Sequence, residues 1–524
     1  MSSTSPWALG SLGPLLTPTN FLLALLVIVG SSQVSKILHR GAHTARISGP
    51  PSPSWLFGVG RILRAASDPA TMYEGWSRAH GSVYALPAAF GTRRIVLMDP
   101  KAISHCCARD THGYFKYKLA KLAIQDMVGK GLLWSDGDSH KRQRRILNPA
   151  FSNVTIRKLT PIFFDVGYKV KTAWDEFIEA GTTDESVIDV QTWMNHVSLD
   201  SIGLAGFAHD FGTLRGEKPT VAAVFDAFGH GKVSPLQGII FALAPAHSTQ
   251  AQPEYGGDCR CHARALAQGR GERSGESSAI LPTVKAEGNE EIITQDEIMA
   301  QMKVMMLAGY ETTSMGTGRT VEELDMQTRL RDELAKLGAV DPTWDQLTDS
   351  LPYLDAIVHE TLRVHPPAVE INRVAMEDDV VPLSTPTRAA AGGATTDRIA
   401  IARGTIITVP IRSIHLSEDI WGPDAKTFRP ERWLSGDEPA AARARELSGH
   451  RHLLTFFDGP RICIGKSFAL AEIKAVLSVL VRNFAFELRD GLATKIKTKV
   501  AIMSRPAIEG EEGIELPLRV RRLV

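Results

Sequence analysis

Residues 456–465 read FFDGPRICIG, a stretch in which a sulfur anion could be held. Cysteine binds metal or attacks as its thiolate, and a thiolate needs donors or positive charge close by. Cys463 directly precedes a helix expected to begin near Lys466–Ser467. The free N–H groups and positive dipole end of that helix favour an anion. Arg461 sets a cation suited to a carboxylate just upstream. Gly459 and Gly465 permit a backbone approach that a side chain would block. A buried structural cysteine in a turn explains the same residues equally well.

Three other stretches carry polar groups that burial would make costly. AGYETTS, Ala308–Ser314, puts Glu311, Thr312 and Thr313 in the middle of an apolar helix. A buried hydroxyl can bond the carbonyl four residues earlier and bend the helix. A buried acid is costly unless paired or used. A kink with a surface glutamate is the plain alternative. HETLR sets Glu360 and Arg363 on one helix face. Leu354, Ile357, Val358 and Leu362 surround them, so the pair would be buried and need more partners. Arg432 in FRPERW is a candidate. HKRQRR, His140–Arg145, is a basic helix face, most simply a solvated one.

Phe456, Gly459, Arg461, Cys463 and Gly465 fill F-x-x-G-x-R-x-C-x-G, which resembles the haem-thiolate signature of cytochromes P-450. The resemblance implies that Cys463 is the axial ligand of haem iron, through a thiolate that favours O–O cleavage. It pairs Arg461 with a haem propionate, and Phe456, Gly459 and Gly465 frame the cofactor. Glu360, Arg363 and Arg432 resemble the family's E-x-x-R plus arginine network behind the haem, a structural device. Arg373, in VEINRVA, matches another propionate-binding arginine. The family's W-x-x-x-R lies at the propionates; here His140 stands in place of the tryptophan, and Arg144 matches the arginine. Lys141, Arg142 and Arg145 would then face an acidic reductase. AGYETTS resembles the oxygen-activating A-G-x-E-T-T, in which Glu311 and Thr312 relay protons and Ala308 and Gly309 leave room for dioxygen.

The elements that must hold these groups read mostly as helices. TQDEIMAQMKVMMLAG opens with a capping box, Thr294 and Glu297, and continues with apolar residues at helical spacing. LPYLDAIVHETLRVHPP is a second helix, stopped by Pro366 and Pro367. SFALAEIKAVLSVLVRNFAFEL is a third. IAIARGTIITVPI reads as a small hairpin. The fold class expected is mainly α with small β-sheets and, by resemblance, a cytochrome P-450 fold.

Domain organisation follows from composition. The first charged side chain is Lys36, and FLLALLVIVG at Phe21–Gly30 lies within an apolar stretch, Leu15–Val34. About 20 residues span a bilayer. A cleaved signal peptide is the alternative, but the stretch has no basic n-region. Lys36, Arg40 and Arg46 follow the run, which places the downstream body in the cytoplasm. Residues 1–35 are therefore expected as a membrane anchor and 36–56, ending in GPPSPSW, as a basic, Pro-rich linker. Residues 57–524 are expected as a single catalytic domain, with 247–275 irregular or disordered. CRCH inside that segment has no distant partner pair and is a weak metal signal. By resemblance the enzyme sits in the endoplasmic reticulum membrane as a single-pass protein of a microsomal, fungal-like type serving secondary metabolism.

The bulk numbers exclude other classes. At 57.1 kDa, 44% hydrophobic and 22% charged, with net charge +1, the chain has a large core and no field for nucleic acid. Five cysteines without C-x-x-C spacing argue against a disulfide scaffold or zinc ribbon. No complete G-x-G-x-x-G occurs; GVGRIL at Gly58–Leu63 lacks the third glycine. Electrons must then come from outside. The resemblance implies haem b as cofactor. It implies NADPH and FAD/FMN only through a separate reductase, with cytochrome b5 as an alternative donor.

The expected reaction is insertion of one oxygen of dioxygen into a lipophilic small molecule, by hydroxylation or epoxidation. A terpene, steroid, fatty acid or xenobiotic would suit. The pocket is expected at Tyr114–Leu133, Met302–Thr313 and Val369–Asn372, with Met302, Met305 and Met306 as an adaptable wall and Glu370 or Asn372 as a polar contact. Alternatives are a family member that rearranges peroxides or dehydrates, and a haem-binding sensor. Gly316 and Gly318 in Met315–Gln327 are expected to break the oxygen-side helix after Ser314, with reduced haem loading as the result.

Overall fold

The computed structural model describes residues 47–66, 68–223, 294–322, 326–388, 395–434, 443–500, 503–511 and 513–523. The apolar run at Phe21–Gly30, the anchor and the segment 247–275 lie outside them. Among the described residues no helix is long and apolar enough to cross a membrane. The expected spacer is in part already body. Ile47 is buried, and the Ser48 carbonyl accepts from the Ala85 N–H at 2.9 Å.

Helices dominate and small sheets flank them. Along the chain come β1 (Val83–Pro87), β2 (Arg93–Leu97), β3 (Tyr114–Phe115), α1 (Gly137–Leu147) and α2 (Asn153–Glu179). Next are β4 (Glu185–Asp189), α3 (Val190–Phe207), α4 (Gln295–Glu322) and α5 (Pro352–Val364). Then follow β5 (Ile371–Ala375), β6 (Asp379–Arg388), β7 (Thr395–Ile401), β8 (Ile406–Val409) and α6 (Lys466–Asn483). The C-terminal strands are β9 (Phe484–Leu488), β10 (Ile496–Val500), β11 (Ser504–Ile508) and β12 (Pro517–Arg522). The five-stranded sheet has the order β1-β2-β8-β5-β3; β4-β12-β9 form another, and β6-β7 and β10-β11 are paired ribbons.

The core lies where α4 packs on α3 and α6 and α2 packs on both of those. α3 and α6 are buried nearly all round, as helices without a polar face must be. The capping box forms as read: the Glu297 N–H donates to Thr294 Oγ1 at 3.2 Å and the Thr294 N–H to Glu297 Oε2 at 3.1 Å.

Three sequence expectations are corrected. The third helix ends at Asn483, and FAFEL is strand β9, beside β12. Phe484 and Phe486 alternate inward with a strand's period of two, but a run this short is not told from the end of a buried helix by periodicity. The hairpin does not form. β7 pairs with β6, whereas β8 runs parallel to β2 and antiparallel to β5. Local spacing carries no information about which partner a strand takes. Finally, α4 runs through AGYETTS and both glycines to Glu322. A Cβ on Gly316 would come within 2.8 Å of Ile473 Cδ1, so this glycine lets α4 close on α6, and packing outweighs its helix penalty of about 1 kcal/mol. The expected break, and the loss of haem loading built on it, has no basis in the helix.

Candidate functional site

The motifs converge on one cavity of about 290 Å³ between α4, the Cys463 loop and the end of α5. At its base the chain turns from the loop into α6. The Cys463 N–H donates to the Phe456 carbonyl at 2.8 Å, closing the turn. Gly459 makes that turn at φ +66°, and a Cβ there would stand 2.4 Å from the Cys107 carbonyl oxygen. Gly465 differs from expectation: it has ordinary φ, and a Cβ would sit 3.9 Å from the Cys463 sulfur, in plain contact. Gly459→Ala should therefore lose roughly 1–3 kcal/mol of stability, read as a lower thermal midpoint, while Gly465→Ala changes it little.

Cys463 is exposed only toward the cavity and otherwise enclosed by protein. Burial pushes its thiol up; the Gly465 N–H, Arg144 and Lys466 pull it back toward thiolate. Among the described residues no three His, Cys, Asp or Glu side chains gather to hold a bare metal ion. A lone thiolate suits a metal that arrives with its other ligands.

One edge of the cavity is basic. Lys116, His140, Arg144, Arg373 and Arg461 all line it. Two acids set Arg373, Arg461 and Lys116 in place. Arg373 Nε donates to Asp110 Oδ1 at 2.8 Å, and Arg461 donates to the Asp110 carbonyl at 2.9 Å and to Asp136 Oδ1 at 2.7 Å. Lys116 Nζ reaches the Ser135 carbonyl at 3.1 Å and Asp136 at 3.2 Å. Arg144 donates to the Ile462 carbonyl, beside Cys463. Burial pushes Asp136 up, but Lys116, Lys121 and Arg461 outweigh it and hold the carboxyl below the usual range. Burial and Arg461 push Lys116 down to about 7. Burial, then the cations of Arg461, Lys116 and Arg144, push His140 down to about 3, so it is a neutral imidazole.

The opposite wall is apolar and comes from α4. Ala308, Gly309, Thr312 and Thr313 line it, with Val304 and Met305 beyond. The Thr312 hydroxyl donates back to the Ala308 carbonyl at 2.6 Å. Glu311 turns elsewhere. It is buried, and its carboxylate is held by Arg505 of β11, through Nη2 and through Nε at 3.2 Å. Of the expected methionine wall only Met305 lines the cavity; Met306 is core. Glu370 and Asn372 lie outside the cavity lining, Glu370 bonded to the Tyr73 hydroxyl at 2.8 Å and Asn372 to Thr408 at 2.6 Å.

Behind the base lies a buried network. Arg363 grips Glu360 at 2.8 and 2.7 Å; Arg432 Nε and Trp433 Nε1 each donate to Glu360 at 3.0 Å. Arg363 also donates to the His415 carbonyl at 2.7 Å, and His415 Nε2 accepts from the Leu454 N–H at 2.8 Å, two residues before Phe456. Burial and Arg363 push His415 down to about 3, which keeps Nε2 an acceptor. The network thus fixes the approach to the cysteine loop. Arg142 of the basic face is paired with Glu297; Lys141 and Arg145 stay at the surface.

Sequence reading did not find Lys116, Asp110, Asp136, His415 or Arg505. Asp136 carried the only signal, an acid just ahead of a helix.

Comparison with known proteins agrees with this geometry. The family profile described as Cytochrome P450 matches residues 49–237 and 265–508. Cytochrome P450 monooxygenase claP of Ampulloclitocybe clavipes is 47% identical over 530 aligned residues, covering 96% of this chain and 97% of that protein. Cytochrome P450 monooxygenase claQ of the same fungus is 46% identical, with the same coverage. Cytochrome P450 monooxygenase 128 of Postia placenta is 32% identical, covering 91% and 92%.

Proposed function

We propose that this chain, which belongs to the cytochrome P450 family and is one of its monooxygenases, oxidises an apolar small molecule above Cys463 with electrons from a separate NADPH-dependent flavoprotein. The observation that carries the reading is the cavity itself. It sets a single thiol at a helix start, five basic groups at one edge and an apolar wall ending in Thr312.

These residues fit haem b. Cys463 would bind its iron; Arg461, Arg373, Arg144, His140 and Lys116 would take its carboxylates. When bound, haem supplies the oxygen chemistry. The chain does the rest. Ala308 keeps side-chain bulk off the reacting side, Gly309 lets Ile202 of α3 pack against α4, and the apolar wall excludes water and orients the substrate by shape. Thr312 presents a hydroxyl that can pass a proton into the cavity. Glu311 can share in that transfer only after leaving Arg505.

Electron supply rests on the lack of a dinucleotide motif, with Lys141 and Arg145 as surface cations for an acidic donor; cytochrome b5 is an alternative. Phe21–Gly30 followed by Lys36, Arg40 and Arg46 supports an endoplasmic reticulum anchor with the body in the cytosol.

Thr312→Val should leave cofactor and substrate binding intact while product per NADPH falls by about 10²-fold. Haem-loaded protein, NADPH, reductase and a small lipophilic library test the whole reading. Turnover that needs NADPH and dioxygen supports it; turnover with peroxide but not with the reductase removes the electron-supply part.

A further inference from the structure

One buried acid close to the cavity wall has no charged partner among the described residues. Glu472 of α6 is 0% exposed, and neither of its carboxyl oxygens has a hydrogen-bond partner among the described residues. Ser198 and Ser201 of α3, 1% and 0% exposed, are equally without one. The two hydroxyls stand near enough to Glu472 to favour its anion, though no well-aligned hydrogen bond joins them. Burial dominates and pushes the Glu472 carboxyl far above the usual range, so it keeps its proton where an ordinary glutamate has lost it.

Its position gives that proton a use. Ile473 follows Glu472 and Ile202 follows Ser201, and both isoleucines line the cavity. Ile202 packs 3.2 Å from where a Gly309 Cβ would be, and Ile473 packs at Gly316, so the two bracket the stretch of α4 that carries Thr312 and Thr313. Glu472 and Ser201 are each the chain neighbour of one of these wall residues. Glu472, Ser198 and Ser201 form one buried polar cluster, the kind of site where internal water completes the bonding. Glu311 is unlike it: its carboxylate is committed to an ion pair with Arg505.

We infer that Glu472, with Ser198 and Ser201, is the proton-holding site that serves Thr312 and the oxygen side of the cavity. The inference rests on the monooxygenase reading above. The Glu472 carboxyl gives its proton to the hydroxyl chain of Ser201 and bridging water, and Thr312 hands one on into the cavity. The carboxylate then regains a proton from bulk water. No electron moves in this step, and Glu472 returns to its starting state. It touches neither substrate nor cofactor and acts through the hydroxyls.

The test compares Glu472→Gln, Glu472→Asp and Glu311→Gln in the haem-loaded protein. Glu472→Gln keeps the shape and removes the acid. Product per NADPH should fall by at least about tenfold, with peroxide released instead and a larger solvent deuterium isotope effect. Glu472→Asp should restore part of the yield, and the carbon monoxide and substrate-binding spectra should not change. Infrared spectra of resting protein at neutral pH should show a protonated carboxyl band that Glu472→Gln removes. Stability gives a further readout. A group whose pKa is raised by folding weakens the fold as pH climbs above its unfolded value, so Glu472→Gln should gain on the parent in that direction. Unchanged yield in Glu472→Gln, a carboxylate band at Glu472, or a stability difference independent of pH would each overturn the inference. If Glu472→Gln does not fold, Ser201→Ala decides: a several-fold loss of yield supports the relay, and unchanged yield rejects it. Failure of the parent to load haem would instead defeat the monooxygenase reading.

Discussion

Cys463→Ser is expected to fold and yet to lose the thiolate-type carbon monoxide spectrum together with all turnover. The sulfur makes little of the fold; its surroundings favour its anion through the Gly465 N–H, Arg144 and Lys466. Those influences cannot make a serine hydroxyl an anion near neutral pH, so the helix start would face a neutral oxygen. Mutating the partners that merely orient a metal's ligands typically costs 10- to 100-fold in affinity, so removing the ligand itself should cost more than about 100-fold. Haem content per chain and the spectrum of the reduced carbon monoxide complex measure both effects. A variant with the parent's spectrum would show that another group holds the iron.

Glu360→Ala should be the most destabilising single change at this site. It leaves Arg363 and Arg432 buried without their shared carboxylate and takes acceptors from the Trp433 indole and the Arg429 N–H. Breaking a buried pair in this way costs about 3–5 kcal/mol, a large part of the stability of an ordinary domain. Because Arg363 also steadies His415, and His415 the Leu454 N–H, the loss reaches the cysteine loop. The expected result is little soluble haem protein, and a denaturation midpoint far below the parent's in what is recovered. Glu360→Gln, which keeps the shape and some acceptors, should lose less. Parent-like stability in Glu360→Ala would mean the network is idle.

How much of this was legible depended on distance along the chain. The capping box of Thr294 and Glu297, the pairing of Glu360 with Arg363 and the turn that ends in Cys463 are local patterns, and local physics reads them. Arg432 was within reach because a buried ion pair demands a further partner. Asp110 and Asp136 were not legible as the groups that set Arg373 and Arg461. Nothing near them in the chain marks an acid that will meet an arginine hundreds of residues on. The Glu311–Arg505 pair failed to show for the same reason, so the acid next to Thr312 looked poised for the cavity when it is held away from it. FAFEL misreads as helix because five residues directly after an apolar helix are too few for their alternation to stand out, and IIT reads as a strand but with the wrong partner. The glycines of Met315–Gln327 misled in the opposite sense. Propensity argued for a break, but at Gly316 the missing side chain is what lets Ile473 pack against the helix.

Under the proposed function, one atom of dioxygen enters an apolar molecule at Cys463. Turnover under heavy-isotope dioxygen, with NADPH, a flavoprotein reductase and a compound shown to bind by its difference spectrum, tests it most directly. Mass spectrometry should find one labelled oxygen atom in the product, and none when Cys463→Ser replaces the parent. Product oxygen drawn from water, or the same product formed without dioxygen or NADPH, would contradict the account.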